Sequence, residues 1–321
     1  IEFDKEKLIM AAQEETVAEI VGGRAQKSFI KANWILWKRR PLGLMGLIIC
    51  ALMVLTAATA DLWQIVAANA AGYEGEQPYK YALSAYAQLT PPNMEHWLGG
   101  DRYGRDSFTR IVYGAQISLY VGFAVALGAG SIAGLLGVMS AYYGGKIDLI
   151  GQRIVDILQA FPGLILAMAI VAILQTFSIE ATIVAISIPT LPRMVRVVRS
   201  QALSVVRTDY VLAGRTIGAD NMRLILRYII PNSMAPWIIV VTGQLGSAIT
   251  TEASLSFLGL GVPEPHPSWG GMLNANALDY AELAPHIIIY PGIALSLAVF
   301  GFNVFGDALR DVLDPRMKGT R

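Results

Sequence analysis

Ionisable residues are scarce in this chain, so the few that cluster are informative. Asp101, Arg102, Arg105 and Asp106 alternate in sign, and Arg110 follows one helical turn after Asp106. Such a set suits an ordered ion-pair network. Glu252 is a lone carboxylate in an apolar run, which makes it a functional-site candidate by default, in competition with a solvated acid near an interface. His96, His266 and His286 have no acidic cluster at ligand spacing, so no metal site is expected. The single Cys50 excludes an internal disulfide and any Cys-based zinc or iron–sulfur site. A serine nucleophile would be Ser131 with His286 as its base. At 1.5 Å per residue Ser131 stands roughly 20 Å deep in an apolar run, whereas His286 opens the last run, and the two should not meet. The pattern G-x-x-x-x-G-K-[ST] is missing. Its nearest fragment, Gly145-Lys146, has Ser140 where the first glycine belongs and Ile147 after the lysine, so a nucleotide phosphate has no cradle. Neither catalytic residues nor a cofactor of the chain's own are expected.

An apolar scaffold must position these residues. Of 321 residues 54% are hydrophobic and 15% charged, against about 25% charged in ordinary soluble domains. That composition implies an all-α integral membrane protein. Apolar runs at residues 42–60, 117–142, 164–174, 181–198, 234–257 and 287–305 predict six transmembrane helices, judged against the ~20 residues needed to cross a hydrocarbon core. The third begins amphipathically from Asp148, with Arg153 and Asp156 spaced to pair, and should kink at Phe161-Pro162-Gly163. Pro189 and Pro192 predict a bent or locally unwound fourth helix. In the second, Ala126, Gly130 and Gly134 recur every four residues and should let a neighbouring backbone approach one face closely.

Lysine and arginine set the orientation. Arg193, Arg196, Arg199, Arg207, Arg215, Arg223 and Arg227 lie around and after the end of the fourth run, and Arg310, Arg316, Lys318 and Arg321 close the chain. Segments 175–180 and 259–285 hold neither residue type. The positive-inside rule then places both termini in the cytoplasm and residues 61–116 outside. The first twenty or so residues are polar and acid-rich, so a secretory signal is not expected there. Residues 1–41 read as a cytoplasmic arm ending in an aromatic and basic stretch, either an interfacial segment or a basic linker.

Between the fourth and fifth runs, Asp209 can cap a helix of about two turns and Gly218 can end it in the left-handed region. Asp220 or Asn221 can cap a second short helix, which Pro231 helps to end. Two short helices about a glycine, protruding from a membrane protein, suit docking into another protein. Flanking membrane runs argue against a DNA-binding helix-turn-helix, so no nucleic-acid partner is expected.

This stretch resembles the cytoplasmic loop of ABC-transporter permeases, in which Glu-Ala-Ala, a glycine four residues later and an apolar-Pro ending mark the coupling helices. Ala213, Gly218 and Pro231 match, while Leu212 replaces the acid, Gly214 the second alanine and Ile230 the leucine. Further stretches are similar to the dipeptide/oligopeptide/nickel branch. They are Trp97-Leu98-Gly99-Gly100-Asp101-Arg102-Tyr103-Gly104-Arg105-Asp106, Glu252-Ala253-Ser254-Leu255-Ser256-Phe257-Leu258-Gly259, Pro267-Ser268-Trp269-Gly270, and Asn303-Val304-Phe305-Gly306-Asp307 running on to Asp314-Pro315-Arg316.

The resemblance implies one N-terminal transmembrane helix, 42–60, an external segment, 61–116, a five-helix permease core, 117–308, with a coupling-helix loop, 199–232, and a cytoplasmic tail, 309–321. Asp209, Tyr210, Leu212, Ala213, Gly214, Arg215, Gly218, Ala219 and Pro231 would form the ATPase-coupling element. Glu252 becomes a candidate for the translocation path. The implied partners are a second permease subunit, two ABC ATPase subunits that bind and hydrolyse ATP, an extracytoplasmic substrate-binding protein and the lipid bilayer of a bacterial or archaeal cytoplasmic membrane. The implied cargo is a di- or oligopeptide, with nickel or another small solute as the alternative. An ATP-independent channel or carrier would leave the loop unexplained.

Overall fold

The structure is a computed structural model and describes residues 41–70 and 88–313. The expected arm and interfacial segment up to residue 40, residues 71–87 of the external segment, and Arg316, Lys318 and Arg321 of the tail fall outside the described residues.

Helices α1 (Pro41–Ala58), α2 (Ala60–Ala70), α3 (Ser107–Tyr143), α4 (Gly145–Gln159), α5 (Gly163–Leu174) and α6 (Ile179–Val206) form the first half. The second half consists of α7 (Asp209–Thr216), α8 (Asn221–Leu224), a π-helical turn (Ile225–Ile229), α9 (Ile230–Phe257), α10 (Trp269–Met272), α11 (Ala275–Leu278) and α12 (His286–Leu313). Among the described residues five stretches are long and apolar enough to cross a membrane, and the pair α4 and α5, bent by 92°, makes a sixth if it is one broken span. The bend falls at Phe161-Pro162-Gly163, where the sequence pattern places it.

Helix α3 is the mast. Its 37 residues span about 55 Å at 1.5 Å per residue, well beyond a hydrocarbon core of ~30 Å. Small residues along it admit neighbours. A Cβ on Gly130 would come within 2.5 Å of Val241 in α9, and one on Gly134 within 3.0 Å of Trp237. Trp237 donates its indole N–H to the Gly130 carbonyl at 2.8 Å. Ala126, one turn earlier, is fully buried. The face formed by Ala126, Gly130 and Gly134 is therefore a packing surface.

Two local expectations need correction. Helix α6 continues through Pro189 and Pro192 as one α-helix, which corrects the local unwinding offered as one alternative there. Within that turn Thr190 donates its hydroxyl to the Ser187 carbonyl at 2.7 Å, while the carbonyls of Ala185 and Ile188, four residues before each proline, are the ones that lose an amide donor. Pro231 does not end a helix; it is the second residue of α9. Proline fits a first turn because the missing N–H belongs to the donors that helix starts leave free, and the preceding π-helical turn adjusts the register. The polypeptide thus passes from the loop after α6 into the fifth span without a break.

Candidate functional site

The loop between α6 and α9 is built by local rules. Thr208, not Asp209, is the N-cap of α7; Asp209 is its first residue and places a carboxylate at the positive end of the helix. At the other end Gly218 has φ +79°. Its N–H donates to the Arg215 carbonyl and the Ala219 N–H to the Gly214 carbonyl, both at 3.0 Å, which is a Schellman motif. Asp220 caps α8 by accepting from the Met222 N–H at 3.2 Å.

Burial fastens this loop to the bundle. Val211 and Gly214 face inward along α7, and Leu224, Ile225 and Ile229 pack with Val138, Tyr142, Val198 and Ala202 of α3 and α6. Gly214, where alanine is usual, has no room for a methyl group, because a Cβ there would lie 2.8 Å from Leu224. Tyr142 donates its hydroxyl to Asn221 at 2.6 Å, and the Arg215 guanidinium sits 4.9 Å over the Tyr142 ring. Tyr210 and Tyr228 lie with ring centroids 6.3 Å apart. Tyr210, Leu212, Ala213, Met222, Leu226 and Ile217, the last 83% exposed, present an apolar outer face. Ile217, Met222 and Leu226 were not among the residues singled out from sequence. Their signal was an aliphatic side chain in a short capped segment with no periodic apolar partner.

The opposite mouth of the bundle is held by charge. Asp101 accepts from the backbone of Tyr103 and Arg105 and from the Arg105 Nε, the last at 2.6 Å. Arg105 donates to Glu264 at 2.8 Å, Arg110 reaches the same carboxylate at 3.4 Å, and Arg110 also donates to the Pro265 carbonyl. Asp106 has a different role from the arginines: it caps α3 through the Thr109 N–H and meets His96 Nδ1 at 3.3 Å. Arg102 lies over the Tyr103 ring. The expected single network is thus three arrangements, and its central acid, Glu264, lies in the distant segment between α9 and α10. Burial alone would raise the Glu264 carboxyl, but Arg105 and Arg110 outweigh it and hold it below the usual carboxylate range.

Glu252 is 0% exposed, so the solvated reading fails. It accepts from Ser118 of α3 at 3.1 Å and from Ser256 of α9 at 2.7 Å. A separate cavity of about 790 Å³ opens among α6, α9 and α12, and Glu252 is not among the residues that line it. The Ser118 bond makes Glu252 a joint between α3 and α9. His286 meets the Gly100 carbonyl at 3.2 Å, at the end of α12 remote from the middle of α3 where Ser131 stands.

Residues 133–319 match the family described as binding-protein-dependent transport system inner membrane component. The chain is 42% identical over 287 residues to the dipeptide transport system permease protein DppC of Alkalihalophilus pseudofirmus, covering 88% of each. It is 43% identical over 229 residues to the glutathione transport system permease protein GsiD of Escherichia coli O1:K1, covering 71% of this chain and 75% of that one. This chain belongs to that permease family. It is a permease subunit of an ABC importer.

The fold agrees. The permease resembles a chain in inward-facing structures of the MetNI methionine ABC transporter, with TM-score 0.52 and 19% identity over 64% of this chain and 96% of that one. The family match contains the α7 and α8 loop and excludes the Asp101 to Arg110 cluster. The ion-pair network therefore joins Arg105 and Arg110, which precede the family match, to Glu264, which lies within it.

Proposed function

We propose that this permease imports short peptides and is driven through the α7 and α8 loop by ATPase subunits that carry the nucleotide site. The observation behind this reading is the glycine-terminated α7, held by buried Val211 and by Arg215 over the Tyr142 ring of α3, with Tyr210, Leu212 and the capping Ile217 exposed. A rigid lever with an apolar tip transmits motion of a docked partner to the spans. Asp209, Ala213, Arg215 and Ala219 complete the lever, and Pro231 joins it to α9. A second permease subunit completes the path, and an extracytoplasmic binding protein delivers solute to the mouth held by Asp101, Arg105, Arg110 and Glu264. The relatives named for dipeptides and for glutathione support a short peptide as cargo. No cofactor or metal is assigned to the permease, since ATP belongs to its partners.

Both termini lie in the cytoplasm on this reading, which cysteine labelling tests. With Cys50 replaced by Ser, a cysteine at Met94, 91% exposed, labels from outside, and one at Ile217 labels only from inside. Ser268 is unsuitable for the purpose because it is buried as the cap of α10. The energy assignment is tested by purification: the isolated permease binds no nucleotide, and co-expressed ATPases copurify with it and confer ATP-dependent peptide uptake. Stoichiometric ATP binding to the isolated chain, or labelling of both positions from one side, would refute the reading.

A further inference from the structure

The cavity among α6, α9 and α12 holds charges with no structural employment. Arg193 of α6, and Asp307 and Arg310 of α12, line it and are exposed within it. None of the three makes a hydrogen bond or ion pair with any described residue, although Asp307 and Arg310 are one turn apart. The neighbouring arginines contrast with them: Arg196 and Arg199 are paired with Asp156 and Asp148. Gln201, Asn232 and Gln244 add amides to the wall. The site runs from Gln244, in the middle of α9, to Asn232 near the cytoplasmic loop, so it occupies the inner half of the bundle. Ionisable groups there are costly, and uncommitted ones that face a cavity mark a solute pathway. A volume of about 790 Å³ falls among ligand cavities of about 300–1,000 Å³.

We infer that this cavity is an inner station for a zwitterionic solute, with Arg193 and Arg310 receiving its carboxylate and Asp307 its ammonium group. The inference rests on the importer reading and adds the chemistry by which the permease itself recognises its cargo. A cation on α6 and an acid on α12 require a solute that carries both charges apart from each other, as a free-ended peptide does. A peptide blocked at both ends leaves all three charges unanswered, and burying it against them is unfavourable.

The test uses the assembled complex in proteoliposomes, with alanyl-alanine as probe. A cysteine at Gln201, with Cys50 replaced by Ser, is expected to react with a thiol reagent added on the cytoplasmic side. Alanyl-alanine should slow that reaction, and N-acetyl-alanyl-alanine amide should not. This arm bypasses the preferences of the binding protein. Arg193→Gln and Asp307→Asn should each lower ATP-driven uptake of alanyl-alanine about tenfold, the scale of one lost charge-assisted hydrogen bond. Assembly and ATP hydrolysis stimulated by the binding protein should stay at wild-type level. Equal protection by both peptides, no labelling of the Gln201 position because a partner fills the cavity, or normal uptake by both variants would overturn the inference. A wild-type complex with no ATP-dependent uptake would instead overturn the importer reading.

Discussion

The two ends of the bundle are secured by different physics. The α7 and α8 loop is fixed by caps, a left-handed glycine and buried aliphatics, and it turns an apolar face outward. At the opposite mouth Arg105 and Arg110 lie between the carboxylates of Asp101 and Glu264 and are buried there. An end that docks a partner needs a stiff backbone and an unsatisfied surface. An end that must stay closed against water satisfies its charges within itself, where geometry rather than area sets the strength.

The sharpest way to break this comparison is Gly218→Val. A Cβ at Gly218 meets nothing within 4 Å, so only its φ of +79° opposes a side chain. That conformation costs an L-residue roughly 1–2 kcal/mol, and more for a branched one. The Schellman turn should open and α7 rotate, while the spans keep their own packing. Transport and stimulated ATP hydrolysis should fall more than about tenfold at normal membrane abundance. Normal transport by this variant would mean that the loop is not the coupling element.

Next in size is Glu264→Ala, which leaves Arg105 and Arg110 buried with Asp101 as their only acid. Because Glu264 itself is half exposed, the loss should be about 1–3 kcal/mol, the usual cost of an orphaned polar partner. It should appear as a lower melting temperature in detergent, with binding of the ATPases unchanged. Weakened ATPase binding with unchanged melting would reverse the roles given to the two ends.

Acid should separate the ends more finely. The Glu264 carboxyl is lowered in the folded protein, so its stabilising contribution is complete above the ordinary value of about 4.3 and is lost as pH falls through the lower folded value. Melting should be insensitive to this group between about pH 7 and pH 5 and should drop below about pH 4. Glu264→Gln should abolish that part of the acid loss. An unchanged acid profile in Glu264→Gln would show that the carboxylate does not hold the mouth.

How far each end could be read in the sequence follows from the same difference. Gly218, Asp220 and the spacing of α7 are local, and neighbouring residues carry their meaning. The cap was misplaced by one residue, because Thr208 and Asp209 both suit that position. Arg105 and Glu264, by contrast, meet across 159 positions, and no local pattern connects them. Asp106 was grouped with the arginines by charge alternation, yet helix capping and His96 claim it. Pro231 was read as a helix end, and Pro189 and Pro192 as a bend or local unwinding, because proline removes a donor. Tertiary neighbours decide whether that loss matters, and they are invisible in sequence. Glu252 needed Ser118, 134 residues away, before its burial made sense.

The smallest expected effect probes the outer face of the loop alone. Leu212, standing where an acid is usual, and Ile217 are exposed in the isolated chain, so truncating either removes no folded contact of note. Docking into a cleft would bury both. Removing the side chain beyond Cβ should then weaken ATPase binding by roughly 1–2 kcal/mol at ~25 cal/mol per Å² of apolar surface. Arg215 is engaged with the Tyr142 ring and contributes less freely to a partner. The measured affinity of the solubilised permease for its ATPase should therefore fall about tenfold in Leu212→Ala or Ile217→Ala. Salt should not reproduce that loss, since apolar burial is not screened as exposed charge is. If moderate salt alone weakens wild-type docking to the level of Leu212→Ala, charge rather than apolar area holds the ATPase, and the contrast between the two ends dissolves.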